Sequence, residues 1–345
     1  MIIDDILREP PYATSDRTAF VRAMNEAFRY HRSASPQFRA FLGSQSYDPE
    51  REYTVEDMPF LPVSIFKEME LTSGDLTQIK KKVFSSATTG KKPSVICLDQ
   101  ITIDRQRKAL TQIMADVIGP ERRPFIILDA ESTVKATGQD VSSRGSAIRG
   151  FLPFATTTAF VLNRDLALDE KKIPNAPDAI LFGFTWVVYR VMEGLKKKNI
   201  RLPAKKLLHI GGWKKLKDIA VSKEAFNALA YEVFSIPKGG VVDIYGMTEQ
   251  LGTVYPDCQE SFKHVPLYAD VLTRGSDLRV LPVGEAGQLQ FLTPLPHSYP
   301  GLSILTDDIG EIVGVDGCAC GRKGKYFVFK KRHEEAELKG CGDTL

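Results

Sequence analysis

Leu207-Leu208-His209-Ile210, Lys223–Phe234 (KEAFNALAYEVF) and Val241-Val242-Asp243-Ile244 decide the fold class. The first and third are short apolar runs of strand length, and the first ends at Gly211-Gly212. The run between them has the length and spacing of a helix. Strand, helix and strand in succession argue for α/β layers built on a largely parallel sheet.

The same texture extends toward the N-terminus. Phe125–Leu128 (FIIL) is a buried strand by its length and branching, and Ala159–Leu162 is another. Val83-Phe84 and Val95–Leu98 are strands flanking a polar loop, and Asp104–Ile118 has helical spacing. Asp178–Lys198 is expected to be one long helix. Its apolar window, Ala179–Met192 (AILFGFTWVVYRVM), is shorter than a membrane span and contains Arg190, so it reads as a buried core helix. Residues 15–45 read as helical, with Ser15 or Asp16 capping a first helix and Pro36 opening a second. The prolines of Met58–Val63 suggest an extended arrival at the core. Beyond Val265 the pattern changes to short strands at Leu278–Leu281, Gly287–Thr293 and Ile304-Leu305, separated by Gly and Pro. The expected architecture is a layered α/β core over residues 1–264, with mostly parallel sheets. A β-rich subdomain and tail over 265–345 complete it.

Composition excludes several classes of function. Of 345 residues, 43% are hydrophobic and 26% charged, as in an ordinary globular protein. The 46 basic and 43 acidic residues leave a net charge of +3, too even to argue for nucleic acid or an anionic membrane surface. The runs Lys80–Lys82, Lys196–Lys198 and Lys205-Lys206 read as solvated helix ends or loops. Five cysteines (Cys97, Cys258, Cys318, Cys320 and Cys341) are few for this length and suit a reducing compartment. The N-terminal Met1–Ile6 has no basic region followed by an apolar core, and no segment reads as a membrane span. A cytoplasmic protein is expected.

Three segments carry chemistry. Phe84–Ser94 (FSSATTGKKPS) is a hydroxyl-rich loop containing Gly90 between two apolar runs. Such a loop offers backbone N–H groups, hydroxyls and ammonium groups to a phosphate. It is not a Walker A loop, because Ser85 stands where that pattern needs Gly. By composition alone it is equally a plain surface loop. Asp243–Glu249 (DIYGMTE) delivers a Tyr-Gly turn, a hydroxyl and a carboxylate from the end of a strand, where ligands of parallel sheets bind. The Thr248 hydroxyl suits a phosphate and the Glu249 carboxylate suits Mg²⁺, but Thr248 and Glu249 also suit the start of a helix. Leu305–Glu311 (LTDDIGE) places vicinal carboxylates after a strand, apt for a ribose diol or for a simple turn.

In this order, the three segments resemble the nucleotide-binding motifs of the acyl-adenylate-forming superfamily. Ser85, Ser86, Thr88, Thr89, Gly90, Lys91 and Lys92 match its phosphate loop, with Ala87 in place of a Gly and the Lys-Pro order inverted at Lys92-Pro93. Tyr245, Gly246, Thr248 and Glu249 match its Tyr-Gly-x-Thr-Glu motif. Thr306–Gly310 is similar to its Thr-Gly-Asp-Leu-Gly motif, with Asp308 at the ribose position. Gly211-Gly212-Trp213-Lys214 resembles the loop that packs on adenine. Together with Cys318-Ala319-Cys320-Gly321-Arg322, it resembles the phenylacetate-CoA ligase neighbourhood and, within that, the LuxE family of acyl-protein synthetases. The resemblance spans Phe60 to Cys341.

What the resemblance implies is specific. ATP and Mg²⁺ are expected, with Glu249 as the metal ligand, Thr248 at the α-phosphate and Arg332 where coenzyme-A ligases begin a hinge. A carboxylic acid, in this family a fatty acid, becomes acyl-AMP. The acyl group then passes to a cysteine near the C-terminus, here Cys341 between Gly340 and Gly342, and on to a reductase of the LuxC type or an acyl carrier protein. Neighbouring Lys339 favours the Cys341 thiolate. The chain stops four residues after Cys341, so the mobile C-terminal domain of the superfamily and its lysine are expected to be absent or vestigial. Lys91 and Lys92 are the candidates for part of that lysine's electrostatic role, which the sequence does not assign. Transfer to coenzyme A or a carrier protein is the alternative, and a catalytically degenerate nucleotide-binding scaffold a second. Cys318, Cys320, His333 and Cys341 are also of zinc-ligating types, but the Cys-x-Cys spacing is tighter than the usual two to four intervening residues and argues against a zinc site. Phe151, Phe154, Phe182, Phe184 and Trp186 suit either an acyl pocket or plain core.

Overall fold

A computed structural model describes residues 1–85, 93–135, 142–213 and 219–332. The chain divides into two compact units, one made of Met1–Ile113, Met247–Tyr255 and Phe262 onward, the other of Met114–Gly246 and Pro256–Ser261. The sequence reading cut the chain once, at 264/265, whereas the first unit gathers segments from both halves of the sequence.

In the second unit five parallel strands lie in the order Ala155–Leu162, Arg123–Ala130, Ile180–Phe184, Lys206–Ile210 and Val241–Tyr245. Helices Thr185–Lys197 and Lys223–Phe234 make the crossovers that parallel neighbours require. Ile126, Ile127, Leu181, Phe182 and Leu208 are fully buried, as strands covered on both faces must be. The single helix expected over Asp178–Lys198 is corrected here. Ile180–Phe184 is a strand, and the helix begins only at Thr185. All five residues of that strand are buried, so both its faces are apolar. A continuous apolar run leading into an amphipathic helix has no break in periodicity to mark the change.

The first unit is built on an antiparallel sheet ordered Lys263–His264, Lys325–Arg332, Ser303–Val315, Ala286–Leu292, Asp270–Arg274. Leu61–Pro62, the extended segment expected from its prolines, adds to Ser303–Val315 in parallel. Helices Thr18–Ala34 and Pro36–Ser44 pack Phe20, Met24, Phe28 and Phe38 against Phe66, Ile96 and Ile304 in one core. Each such side chain contributes about 1.5–3 kcal/mol by leaving water. The cap of the first helix is Arg17 rather than Ser15 or Asp16, although Asp16 Oδ1 accepts the Thr18 N–H at 2.9 Å. Two strand expectations are also corrected. Leu278–Leu281 forms only an isolated bridge at Val280, because Leu278 is left-handed (φ 64°) and turns the chain. Ile304-Leu305 is the start of a strand of 13 residues that continues through Asp308 and Gly310. The acidic segment is therefore strand, not turn, held by partners on both sides.

Candidate active site

Parallel register brings two of the sequence segments side by side in the second unit. Phe184 is opposite Ile210, and Ile210 is opposite Ile244, so these three strands end at one level. Gly211–Trp213, and Gly246 just past the strand end at Tyr245, leave the sheet there, at its carboxyl edge. Gly211 has φ +80°, a left-handed turn that a side chain rarely adopts. A Cβ added there would also meet the Phe184 ring at 3.1 Å. The Thr185 hydroxyl donates to the Gly211 carbonyl and lies 2.9 Å from His209 Nδ1. Its single proton is used on the carbonyl, so His209 Nδ1–H is the donor between them. His209 is buried, 4.6 Å from the Phe226 ring, as a satisfied core histidine. Trp213 packs edge-on against Tyr189 and Phe226 at 4.9 and 6.2 Å. Phe151 and Phe182 stack at 4.4 Å, both buried, and are core.

In the first unit, strands Lys81–Phe84 and Val95–Leu98 pair as an antiparallel hairpin. Its neck is doubly tied: Ser85 N–H donates to Ser94 O at 3.0 Å, and Ser94 N–H donates to Ser85 Oγ at 2.8 Å. The Ser94 hydroxyl then donates to Glu249 Oε1 at 2.7 Å, although the two residues are 155 apart in sequence. The stem of the hydroxyl-rich loop is thus anchored on the acidic residue of Tyr245–Glu249. Burial pushes the Glu249 carboxyl upward, while the Ser94 hydrogen bond and the charges of Lys67 and Arg332 pull it down. Thr248 opens a short 3-10 turn, Thr248–Gln250, whose cap position is Met247 without a side-chain bond. Thr248 is therefore not the cap, and the residue is half-buried.

Asp308 and Arg332 are opposite one another in the register of Ser303–Val315 and Lys325–Arg332. That register delivers Arg332 Nε to Asp308 Oδ1 at 2.9 Å. Gly310 lets these strands approach: a Cβ there would lie 2.6 Å from Val328 O and 2.8 Å from Leu289 Cδ1. The expected phosphate-loop residues Ser86, Thr88, Thr89, Gly90, Lys91 and Lys92, and the expected acyl acceptor Cys341, lie outside the described residues, as do Lys214 and His333.

Sequence reasoning missed the role of Ser94, whose only local signal was its place at the loop's end. It also missed the pair Asp99 and His297, 198 residues apart, with His297 Nδ1 2.6 Å from Asp99 Oδ2 and its ring stacked on Tyr30 at 4.6 Å. Burial raises the Asp99 carboxyl, but hydrogen bonds from His297 and Thr102 outweigh it and bring it to about 2. Among the described residues, no helix is long and apolar enough to cross a membrane.

The family described as acyl-protein synthetase, LuxE, matches residues 1–345. The chain is 26% identical over 308 residues to a long-chain-fatty-acid–luciferin-component ligase of Aliivibrio fischeri, covering 84% of this chain and 78% of that one. It is 24% identical over 341 residues to the ligase of the same description from Vibrio harveyi, covering 94% and 86%. Among solved structures, an open conformation of 2-hydroxyisobutyryl-CoA ligase in complex with 2-HIB-AMP and CoA matches with a TM-score of 0.73 at 12% identity, covering 94% of this chain and 76% of that one. That last likeness is one of fold.

Proposed function

The chain belongs to the LuxE family of acyl-protein synthetases, and from that premise we propose that it activates a fatty acid with ATP and transfers the acyl group to a protein thiol, that of Cys341. In the first step a carboxylate oxygen of the acid attacks the α-phosphorus of ATP, and the bond to the β-phosphate oxygen breaks. Acyl-AMP forms and pyrophosphate leaves. In the second step the Cys341 thiolate attacks the acyl carbonyl, a thioester forms, and AMP leaves with the electron pair of the broken acyl–phosphate bond. The thiol's proton goes to solvent.

The observation that carries this reading is the contact of Ser94 with Glu249, which joins a hydroxyl-rich loop stem to a buried carboxylate. Chemistry at phosphorus is largely positioning and charge neutralisation, and these groups are of the kind it needs. Ser85, Ser86, Thr88, Thr89, Gly90, Lys91 and Lys92 are assigned to the β- and γ-phosphates, and the Thr248 hydroxyl to the α-phosphate. Asp308, oriented by Arg332, is assigned to the ribose, and Gly211, Gly212, Trp213, Tyr245 and Gly246 to the base and its neighbourhood. Glu249 fits Mg²⁺ in kind: it is an oxygen donor whose burial disfavours a lone negative charge, and a divalent cation offsets that cost. Mg²⁺ held there supplies neutralisation of the triphosphate charge. The acceptor protein downstream is a reductase of the LuxC type or an acyl carrier protein.

The test supplies purified protein with ATP, Mg²⁺ and radiolabelled fatty acid, alongside Cys341→Ala. The expected result is hydroxylamine-labile label on the wild type and none on the variant. AMP formation with no label on either protein would replace the Cys341 step with transfer to a carrier thiol or to coenzyme A, the latter being the acceptor named for the 2-hydroxyisobutyryl-CoA ligase of similar fold. Neither AMP nor label across a series of chain lengths would refute fatty-acid activation.

A further inference from the structure

The turn between strands Ser303–Val315 and Lys325–Arg332 carries Cys318 and Cys320, and nothing in the nucleotide chemistry uses them. The turn is shaped by its own bonds. Asp316 N–H donates to Gly324 O at 3.0 Å, and Gly324 N–H donates to Asp316 Oδ1 at 2.7 Å, which closes its neck. Gly321 N–H donates to Cys318 O at 3.1 Å, curling the chain tightly between the two cysteines. Beside it runs Lys263–His264, paired with Lys325–Arg332 so that His264 is opposite Tyr326. His264 is fully buried, its Nε2 is 3.2 Å from Cys320 Sγ, and its Nδ1 has no hydrogen-bond partner among the described residues. Tyr326 stacks on the imidazole at 5.5 Å and Tyr12 meets it edge-on at 6.0 Å, fixing the ring. Cys318 is buried too, and neither thiol is in a disulfide.

We propose that His264, Cys318 and Cys320 bind a zinc ion that pins this turn to the edge of the sheet. One ligand atom from each lies within 4.8 Å of the others. In a tetrahedral site with Zn–S of about 2.3 Å and Zn–N of about 2.0 Å, ligand atoms are about 3.5–3.8 Å apart, so closure needs side-chain shifts of about 1 Å. Two thiolates and an imidazole form a soft set that selects zinc over magnesium or calcium. Binding converts two thiols to thiolates, forms two Zn–S bonds and one Zn–N bond, and releases two protons to solvent. A further donor completes the tetrahedron; along the sequence, the nearest further thiol to His264 is Cys258, six positions before it. The spacing of the sequence had grouped Cys318 and Cys320 with His333 and Cys341, whereas the folded sheet brings His264 to them.

The test uses tag-free, full-length protein, incubated with zinc, dialysed against metal-free buffer and assayed by elemental analysis. About one zinc per chain is expected for the wild type, with at least about a tenfold loss in His264→Ala and in the double variant Cys318→Ser/Cys320→Ser. Cys341→Ala and His333→Ala are expected to keep the metal. A wild type that retains no zinc overturns the proposal, as does equal loss from the Cys341 or His333 variants. Because the site variants can lose metal simply by misfolding, a second measurement uses the wild type alone. Replacement of zinc by Co²⁺ should produce a thiolate-to-cobalt charge-transfer band and strong visible bands of a tetrahedral ion, and their absence from folded, cobalt-treated protein counts against the site.

Discussion

Glu249 is a carboxylate that the fold buries and then supplies with a partner. Its neutral form is favoured by desolvation, and the Ser94 hydroxyl at 2.7 Å is the nearest group holding it ionised. A hydrogen bond to a charged group is worth about 1.5–3 kcal/mol, so Ser94→Ala should lower ATP–pyrophosphate exchange at neutral pH by about tenfold to a hundredfold. The pH profile distinguishes this role from a merely structural one. With Ser94 removed, the Glu249 pKa rises further, so the acid limb of the exchange profile should move to higher pH. A uniform loss with an unmoved limb would show that Ser94 does not act through this carboxylate. Asp308 has its partner in Arg332, and there the pairing follows from strand register rather than from a loop contact.

At the scale of elements, the decisive piece is the long strand Ser303–Val315. It pairs with Leu61–Pro62 at Ile304 and Leu305, with Ala286–Leu292 between Ser303 and Glu311, and with Lys325–Arg332 between Asp308 and Val315. Gly310 sits where neighbours on both sides press close. Gly310→Ala would place a methyl 2.6 Å from Val328 O and 2.8 Å from Leu289 Cδ1, and overpacking of this kind costs about 1–3 kcal/mol. The variant should unfold at lower urea concentration, and it should lose affinity for ATP, because a shifted register moves Arg332 relative to Asp308. Unchanged urea unfolding would mean that the strands part at little cost. Sequence reading found this segment but placed it after the strand, as a ribose-binding pair or a turn, since Asp-Asp before an apolar-Gly pair is common in turns; the strand in fact continues through it. It also merged Ile180–Phe184 with the helix that follows, because a strand buried on both faces has no alternation to read. By contrast, Lys223–Phe234 is helical over the same residues the sequence indicated, with Ser222 Oγ accepting the Ala225 N–H at its start.

On the scale of the whole molecule, buried titratable groups set the response to acid. His31 is fully buried, its Nε2–H donating to Pro296 O at 3.1 Å and its Nδ1 accepting from Ser73 Oγ at 2.7 Å. Burial foremost, with the charges of His297 and Arg105, lowers its pKa to about 3, against the pull of the Pro296 carbonyl and Asp99. The unfolded chain takes up this proton near pH 6.5 and the folded chain only near 3, so stability falls as pH drops through that window, by on the order of 5 kcal/mol. Asp99 acts at the acid end. Its pKa is depressed from 3.8 to about 2, so its contribution of about 2 kcal/mol is present above the unfolded value and is lost as pH falls toward 2. His31→Gln keeps a donor and an acceptor but cannot be protonated. The variant should flatten the dependence of urea-unfolding free energy on pH between about 6.5 and 4, at a cost of about 1–2 kcal/mol at pH 7.5. A slope as steep as that of the wild type would assign the acid sensitivity to other groups.

The sequence by itself determined the α/β class, most of the strands and helices, the three motifs in their order and the family those motifs resemble. Each of these is written locally, in apolar periodicity, in Gly and Pro placement and in residue types at short spacing. The tertiary structure alone decided which side chains meet. Ser94 reaches Glu249, Asp99 reaches His297 and His264 reaches Cys320, across separations of 155, 198 and 56 residues. No local pattern marks those encounters. They follow from how strands register in a sheet and how loops are tied at their necks, and both are settled only when the core packs.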